Sequence, residues 1–427
     1  MKLTKNEQEM LEGKQGLARR KAMELLVNYG EALGAEQFVD TNNVSVIVGT
    51  LPEIEIIRKI VPSLDMDEIA SKIYLDSDEI VVVDKVKAFT TSNAYFRDFA
   101  YPEIQSGGKE TCDLIEKVHR YCQRIGIVTL HTCAPYQCGN IPTKGEFCAW
   151  TESSAIAYCN SILGARSNIE GQQSSFASAI TGKTPLAGKH LDENRKGSVI
   201  VRADVDMNTD QDWGLLGYFA GPEVGLEVPI FTNIKKIPDL YMLMTLCTGG
   251  ATSGNVVMFH ISGLTPEAAT VDMASGGRKD LRVVSYGKEE RRRTYEKLNH
   301  SVKSDVDIVV LGCPHYSLER LCTLASLLEG KKVHENTNLY ITIGHTQKAL
   351  ADRLGYSDMI KKAGGVILED TCALVINIDP SNVVASDSTK MLAYLPTTAG
   401  TKNTWLGTME ECVEAATTGK WTGGMLE

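Results

Sequence analysis

The chain has 427 residues, of which 43% are hydrophobic and 23% charged, which is ordinary for a folded globular protein. This length is too great for one small core and suggests two or three domains. A net charge of −10 disfavours a nucleic-acid partner, because phosphate binding needs a positive surface. The sequence contains no signal-peptide pattern and no apolar run of membrane-spanning length, so we expect a cytoplasmic protein with neither a nucleic-acid nor a membrane partner.

The N-terminal part of the chain predicts alternating helices and strands. Thr4 and Glu7 have the spacing of a capping box, which predicts a helix start. Strands are predicted over 38–48, interrupted at Asn42 and Asn43, and over 79–89. Apolar periodicity predicts further helices at 16–33, 54–60, 67–73 and 110–125.

The segment 127–171 concentrates functional groups around little core material. An apolar, strand-like run ends at Cys133, a turn follows, and a helix begins near Glu152. Such density of polar groups in one loop–helix–loop unit is typical of an active-site segment. The unit contains a thiol, hydroxyls, carboxylates, a guanidinium and an amide: Cys133, Glu152, Ser153, Ser154, Arg166, Asn168 and Glu170.

The rest of the chain indicates an α/β fold with mixed or parallel sheets flanked by helices. The C-terminal third alternates strand and helix most cleanly, and this alternation implies parallel pairing. Earlier, a strand is predicted at 198–205, helices at 213–220 and 240–247, and a strand at 256–261. We expect three lobes, at 1–126, 127–277 and 278–427.

Three of the eleven cysteines share one context. Cys133, Cys313 and Cys372 each lie just past an apolar strand, at the sheet edge where parallel α/β proteins bind ligands. Three thiolates suit an iron–sulfur cluster or zinc, and a cuboidal cluster with three protein ligands keeps one iron open. Alternatively, these residues are buried core cysteines, which is the usual environment of a free thiol.

Other features allow two interpretations each. The glycine-containing segment 248–255 could offer backbone amides to an anion or form a tight turn with positive φ. His315 could contact substrate or cluster, or could serve packing. Lys390 could be a substrate-binding cation or a base, or an ordinary surface lysine.

The strings CAPYQCGN, ESSAIAYCNSILGARSN, HLDENR, GCPHYSLE and EDTC resemble the large subunit or domain of the aconitase X family. The resemblance extends over essentially the whole chain. It implies an iron–sulfur hydro-lyase whose cluster, of unspecified nuclearity, is held by Cys133, Cys313 and Cys372. It also implies a separate small subunit with a swivelling β-rich domain, and an active site at the interface with it.

Two small hydroxy acids are substrates in this family. CAPYQ is more similar to the branch acting on cis-3-hydroxy-L-proline, which gives pyrroline-2-carboxylate, than to the branch acting on mevalonate 5-phosphate. The pair Gln172–Gln173 departs from both branches. A phosphate would need an extra cationic or amide pocket, for which 248–255 is the one candidate visible in the sequence.

The hydro-lyase mechanism that the resemblance implies gives each candidate residue a role. Three side chains are candidate bases for the α-proton: Glu152, Glu170 and Lys390. Five are expected to bind or orient the substrate: Ser153, Ser154, Arg166, Asn168 and His315. Two alternatives of other classes use the same cysteines: a non-catalytic redox or iron-sensing protein, and a zinc-stabilised scaffold.

Overall fold

The structure, a computed structural model, describes residues 1–48, 51–93 and 97–424. Sixteen α-helices follow one another within these ranges: α1 Lys5–Leu11, α2 Leu17–Ala32, α3 Leu51–Ile60, α4 Met66–Ile69, α5 Gly108–Arg124, α6 Ser153–Ser161, α7 Gln172–Thr181, α8 Asp210–Val224, α9 Leu240–Gly254, α10 Val271–Ser275, α11 Lys288–Glu296, α12 Leu318–Leu327, α13 His345–Leu354, α14 Tyr356–Ala363, α15 Thr389–Thr398 and α16 Met409–Thr418. None of these helices is both long and apolar enough to cross a bilayer.

Fifteen strands are found in the same ranges: β1 Phe38–Asp40, β2 Asn43–Val46, β3 Phe89–Ser92, β4 Phe147–Trp150, β5 Arg166–Ile169, β6 Lys183–Pro185, β7 Val199–Ala203, β8 Pro229–Thr232, β9 His260–Ile261, β10 Arg282–Tyr286, β11 Ile308–Leu311, β12 Asn338–Ile343, β13 Val366–Glu369, β14 Val384–Ser386 and β15 Thr404–Leu406. They form three parallel sheets, of order β3-β2-β4-β5, β10-β7-β8-β9 and β13-β12-β11-β14-β15. A small antiparallel pair joins β1 to β6.

The fold is therefore α/β with parallel sheets and flanking helices, as predicted. In the third sheet, Val309 of β11 is opposite Leu339 on one side and Ala385 on the other, and all three are buried. Burial on both faces explains why these strands are short, continuous apolar runs. The first sheet pairs strands from both sides of residue 126, and the second pairs strands from both sides of residue 277. The lobe boundaries stay a prediction.

The two largest hydrophobic cores hold most of the elements together. One is built from the N-terminal helices against the first sheet and includes Met23 and Phe176. A larger core continues through the remaining sheets and includes Trp150, Trp213 and Ile341. Shared packing of this kind fixes the relative position of the strand ends that carry the polar side chains.

Several predicted elements are confirmed and others are wrong. The predicted strand before Cys133 is an extended stretch with one isolated bridge, and the predicted strand at 256–261 is limited to β9. Thr4 and Glu7 form the capping box that begins α1. The predicted strand at 79–89 is wrong over 79–88, where no neighbouring strand pairs with the chain, and β3 begins only at Phe89. The segment 248–255 is neither an anion-binding loop nor a glycine turn over its length, because α9 continues to Gly254 and the left-handed residue is Asn255, with φ 61°.

Candidate active site

Three loops bring the cysteines to one pocket. Cys313 follows β11 and Cys372 follows β13, at the carboxyl end of the third sheet. Cys133 ends an extended stretch that bridges to β3 of the first sheet through Val128 and Thr91. The pocket thus lies where the carboxyl edges of two sheets meet. We call it the cysteine pocket; thirteen residues line it: Cys133, Glu152, Ser154, Thr248, Gly312, Cys313, Pro314, His315, Thr342, Cys372, Ala373, Leu374 and Lys390.

A largely buried ion pair lines the pocket together with the thiols. The Lys390 ammonium donates a hydrogen bond of 2.6 Å to Oε1 of Glu152, and the Ser154 hydroxyl donates to the same oxygen at 3.2 Å. Burial opposes ionisation of Glu152, but the charge and hydrogen bond of Lys390 hold its pKa below the usual value. The pocket therefore contains an ionised carboxylate and a cation in addition to the three thiols.

The donor set fits an iron–sulfur cluster better than a single metal ion. Among the residues of the described ranges, no three Cys, His, Asp or Glu side chains stand close enough to hold one ion. A cluster takes each thiolate on a different iron, so its ligands stand further apart. Burial raises the pKa of the Cys133 and Cys372 thiols and raises that of Cys313 to about 12, so metal binding here must release protons.

His315 also lines the cysteine pocket, and both of its ring nitrogens are within hydrogen-bond distance of protein groups. Its Nε2 is 2.7 Å from the Thr371 carbonyl oxygen, and its Nδ1 is 3.0 Å from the Thr132 hydroxyl. Burial lowers the pKa of His315, which is consistent with a neutral ring. Both ring nitrogens thus have partners within the protein, and the substrate contact predicted from the sequence stays a prediction.

Four other predicted residues lie outside the lining of the cysteine pocket. Arg166 pairs with Asp192 and donates to the His190 carbonyl oxygen at 2.7 Å. The Asn168 amide donates to the Ala187 carbonyl oxygen at 3.1 Å, and Ser153 begins α6 one residue before Ser154. The structure therefore groups Glu152, Ser154, His315 and Lys390 with the cysteines, but not Ser153, Arg166 or Asn168.

Glu170 is the fourth residue outside the pocket lining. Glu170 is 3% exposed, and burial raises the pKa of its carboxyl. The nearby hydroxyls of Ser174 and Tyr29 oppose this rise only in part, and neither carboxylate oxygen has a hydrogen-bond partner among the described residues. Of the three candidate bases, the structure thus places two, Glu152 and Lys390, beside the cysteines.

Two charged groups near the site were not singled out from the sequence. Arg97 is 1% exposed, burial lowers its pKa to about 10, and the thiols of Cys112 and Cys372 oppose that shift. Burial raises the pKa of Asp387 to about 7, and the Tyr316 hydroxyl donates to its carboxyl. Asp387 is part of the SDSTK string that carries Lys390, a signal that could have drawn attention to it; Arg97 has no local signal.

Known proteins share this architecture. The crystal structure of Thermococcus kodakaraensis aconitase X (holo-form) superposes with a TM-score of 0.82 at 32% sequence identity, covering 97% of this chain and 100% of that one. The phosphomevalonate dehydratase large subunit of Methanocaldococcus jannaschii is 34% identical over 408 residues, 93% of this chain and 95% of that one. The cis-3-hydroxy-L-proline dehydratase of Hypocrea jecorina is 32% identical over 344 residues, 78% of this chain and 58% of that one.

Family models match nearly the whole chain. The models of the first, second and third domains of aconitase X match residues 1–193, 197–296 and 306–418. The relatives define the class of protein: they are dehydratases, and this chain is a hydro-lyase. The chain belongs to the aconitase X family. Aconitase-like dehydratases are in general iron–sulfur enzymes.

Proposed function

We propose that this chain is the large subunit of an iron–sulfur dehydratase that removes water from a small β-hydroxy carboxylate. The observation that supports the proposal is the lining of the cysteine pocket, where three thiols from distant loops face the Glu152–Lys390 ion pair. A hydro-lyase needs a group that activates a hydroxyl, a base for the α-proton and a cation for the carboxylate. The pocket contains residues of the right chemistry for all three.

The cluster would be held by Cys133, Cys313 and Cys372. When bound, it supplies a Lewis-acidic iron that weakens the C–O bond of a hydroxyl group. The Sγ of Cys133 also accepts a hydrogen bond from the backbone N–H of His315 at 3.5 Å. Such hydrogen bonds to the sulfur ligands adjust the properties of a cluster.

Glu152 is the base in this proposal. Its pKa is held low, so its carboxylate is ionised and can accept the α-proton of a bound hydroxy acid. The electron pair of the C–H bond forms the new double bond, and the C–O pair leaves with the hydroxide, so one water is lost in total. Lys390 keeps Glu152 ionised and offers its positive charge to the substrate carboxylate.

The substrate we propose is cis-3-hydroxy-L-proline, dehydrated to pyrroline-2-carboxylate. Lys390 is the one cation among the described residues that line the cysteine pocket. The segment 248–254 belongs to α9 rather than to an anion-binding loop, which argues against a phosphate site in this segment. A substrate with a single carboxylate suits this lining better than a substrate with an additional phosphate.

Mevalonate 5-phosphate is the second candidate substrate. The Methanocaldococcus jannaschii relative, which is named for phosphomevalonate, matches 95% of its own length, whereas the Hypocrea jecorina relative matches 58% of its length. The Methanocaldococcus jannaschii protein is named as a large subunit. That name also supports a separate small subunit for this chain, which would complete the site. Turnover assays of the co-expressed complex with each compound in turn will separate the two substrates.

Replacing Cys313 with Ser tests the function itself. We expect the anaerobically purified C313S complex to lose iron, sulfide and the visible absorption of the cluster, together with dehydration, because an alcohol oxygen is a poor ligand for iron in such clusters. Cys322→Ser is the matched control, since Cys322 is on α12 and does not line the pocket. A C313S complex that keeps its iron and its turnover would contradict the proposal.

A further inference from the structure

His315 connects the three cysteine-bearing loops to one another. The residue lies two positions after Cys313 and is 3% exposed. Its ring contacts Thr132, the residue before Cys133, and Thr371, the residue before Cys372. One side chain thus joins loops that are 180 and 59 residues apart in sequence and come from two sheets.

The hydrogen bonds define which ring nitrogen carries the proton. A carbonyl oxygen only accepts, so Nε2 of His315 donates to Thr371. In a neutral ring, Nδ1 is then an acceptor and the Thr132 hydroxyl donates to it. That hydroxyl in turn accepts from the backbone N–H of Ala134 at 3.1 Å. The whole chain of bonds is satisfied, and it fixes the loop on each side of Cys133.

We propose that His315 is the positioning residue that holds the three thiols at the spacing a cluster requires, and not a substrate ligand. The inference rests on the proposed function and deepens it. Ordering three loops costs conformational entropy, and a cluster that had to order them itself would bind less tightly. Outer groups that orient metal ligands typically contribute about 10- to 100-fold in metal affinity.

Two conservative variants separate the hydrogen bond to Thr132 from the hydrogen bond to Thr371. An asparagine amide reaches the position of Nδ1, so His315→Asn can keep the Thr132 contact and lose the Thr371 contact. A glutamine amide reaches the position of Nε2, so His315→Gln can keep the Thr371 contact alone. His315→Ala loses both. His190→Ala is the matched control, because His190 is also buried, with its ring nitrogens 2.9 Å from the Pro185 oxygen and 3.2 Å from the Cys148 oxygen, and it does not line the cysteine pocket.

The first measurement is the rate at which a chelator removes iron from each anaerobically purified complex, followed by visible absorption and circular dichroism. We expect H315A to lose iron about 10-fold faster than the wild type or more, with H315N and H315Q between them. H190A should lower the melting temperature but lose iron at the wild-type rate. An H315A complex with the wild-type rate and spectrum would overturn the proposal.

The second measurement uses the chain without a cluster and is independent of turnover. We expect H315A to increase the alkylation rates of Cys133 and Cys372 by iodoacetamide, read by mass spectrometry, without changing that of Cys322. Equal rates in the H315A and wild-type chains would overturn the positioning role. A wild-type complex that binds no iron would overturn the proposed function instead, and the alkylation rates would still decide whether His315 positions the thiols.

Discussion

A buried carboxylate keeps its charge only where a neighbour compensates it, and Glu152 illustrates this rule at the scale of single residues. Its side chain is 8% exposed, and the Lys390 ammonium is 2.6 Å away. Sequence alone placed Glu152, Glu170 and Lys390 on equal terms as bases, because it shows residue types and not their distances. The structure separates them, since Glu170 is packed beside Tyr29 and Ser174 while the other two face the thiols.

Removing Lys390 should change the pH dependence of the reaction. In Lys390→Met, burial acts on Glu152 without the compensating charge, so the pKa of Glu152 rises and more of the base is protonated at a given pH. The acid limb of kcat/KM should therefore move to higher pH, by about 1–3 units, as for the loss of a close opposite charge. Lys390→Arg keeps a cation and should keep the acid limb close to the wild-type position.

A buried pair elsewhere controls for stability in the Lys390→Met experiment. Lys183 pairs with Glu7 at 2.9 Å, and their side chains are 11% and 2% exposed. Lys183→Met should lower the melting temperature because it leaves Glu7 without this partner, but the acid limb of kcat/KM should stay in place. If the acid limb is also unchanged in Lys390→Met, then Glu152 is not the base.

At the scale of elements, sequence predicted strands by their apolar runs but not their pairing partners. Residues 80–83 alternate exposed and buried side chains as a strand does, with Val81 and Val83 buried. The Val81 N–H donates to the Ser71 hydroxyl and not to a neighbouring strand. Alternation reports which side chains face the core; it carries no information on whether another strand lies alongside.

The glycines of 248–255 were misinterpreted for a related reason. Glycine in a sequence indicates either positive φ or close backbone approach, and the two cannot be told apart without the partner. Here α8 and α9 pack backbone against backbone, and a Cβ added to Gly249 would come within 2.2 Å of the Gly214 carbonyl oxygen. Gly249 and Gly254 are therefore required by helix packing, and this packing places Thr248 at the cysteine pocket.

Gly249→Ala tests this packing. Alanine improves helix propensity by about 1 kcal/mol, but the clash with the carbonyl oxygen of α8 should outweigh it and leave a net loss of about 1–3 kcal/mol in the free energy of unfolding. Gly250→Ala is the control on the same helix, because its Cβ would meet the Val256 side chain at 3.2 Å rather than rigid backbone. Urea unfolding should give a lower midpoint for G249A than for G250A. The reverse order would show that the close contact between Gly249 and the backbone of α8 does not limit stability.

At the scale of the whole molecule, the cysteine pocket depends on the docking of two distant parts of the chain. Cys133 belongs to the part matched by the first aconitase X domain, and Cys313 and Cys372 to the part matched by the third. The strand-end positions of Cys313 and Cys372 could be predicted from sequence, whereas Cys133 follows an extended stretch with one isolated bridge and not a strand. The convergence of the three cysteines could not be predicted, because it depends on contacts between residues far apart in the chain.

Gln105 is central to this docking. Its Oε1 accepts from the Thr371 hydroxyl at 2.8 Å and from the Asp98 N–H at 3.0 Å. Its Nε2 donates to the carbonyl oxygens of Asp98 and Tyr101. Around it, the Asp98 carboxyl accepts from the Glu369 N–H at 2.8 Å. A single amide with all four bonds made thus joins the segment before α5 to the loop of Cys372.

Gln105→Leu should loosen this docking, because it leaves several buried polar groups unpaired at about 1–3 kcal/mol each. We expect a lower melting temperature and faster alkylation of Cys372 in the cluster-free chain. Gln211→Leu is the matched control: Gln211 is 2% exposed, and neither atom of its amide has a hydrogen-bond partner among the described residues, so an apolar replacement should be neutral or stabilising. If both variants melt alike and Cys372 reacts at the wild-type rate in Gln105→Leu, the two parts are held together by their shared apolar core, and the hydrogen bonds around Gln105 contribute little to the geometry of the cysteine pocket.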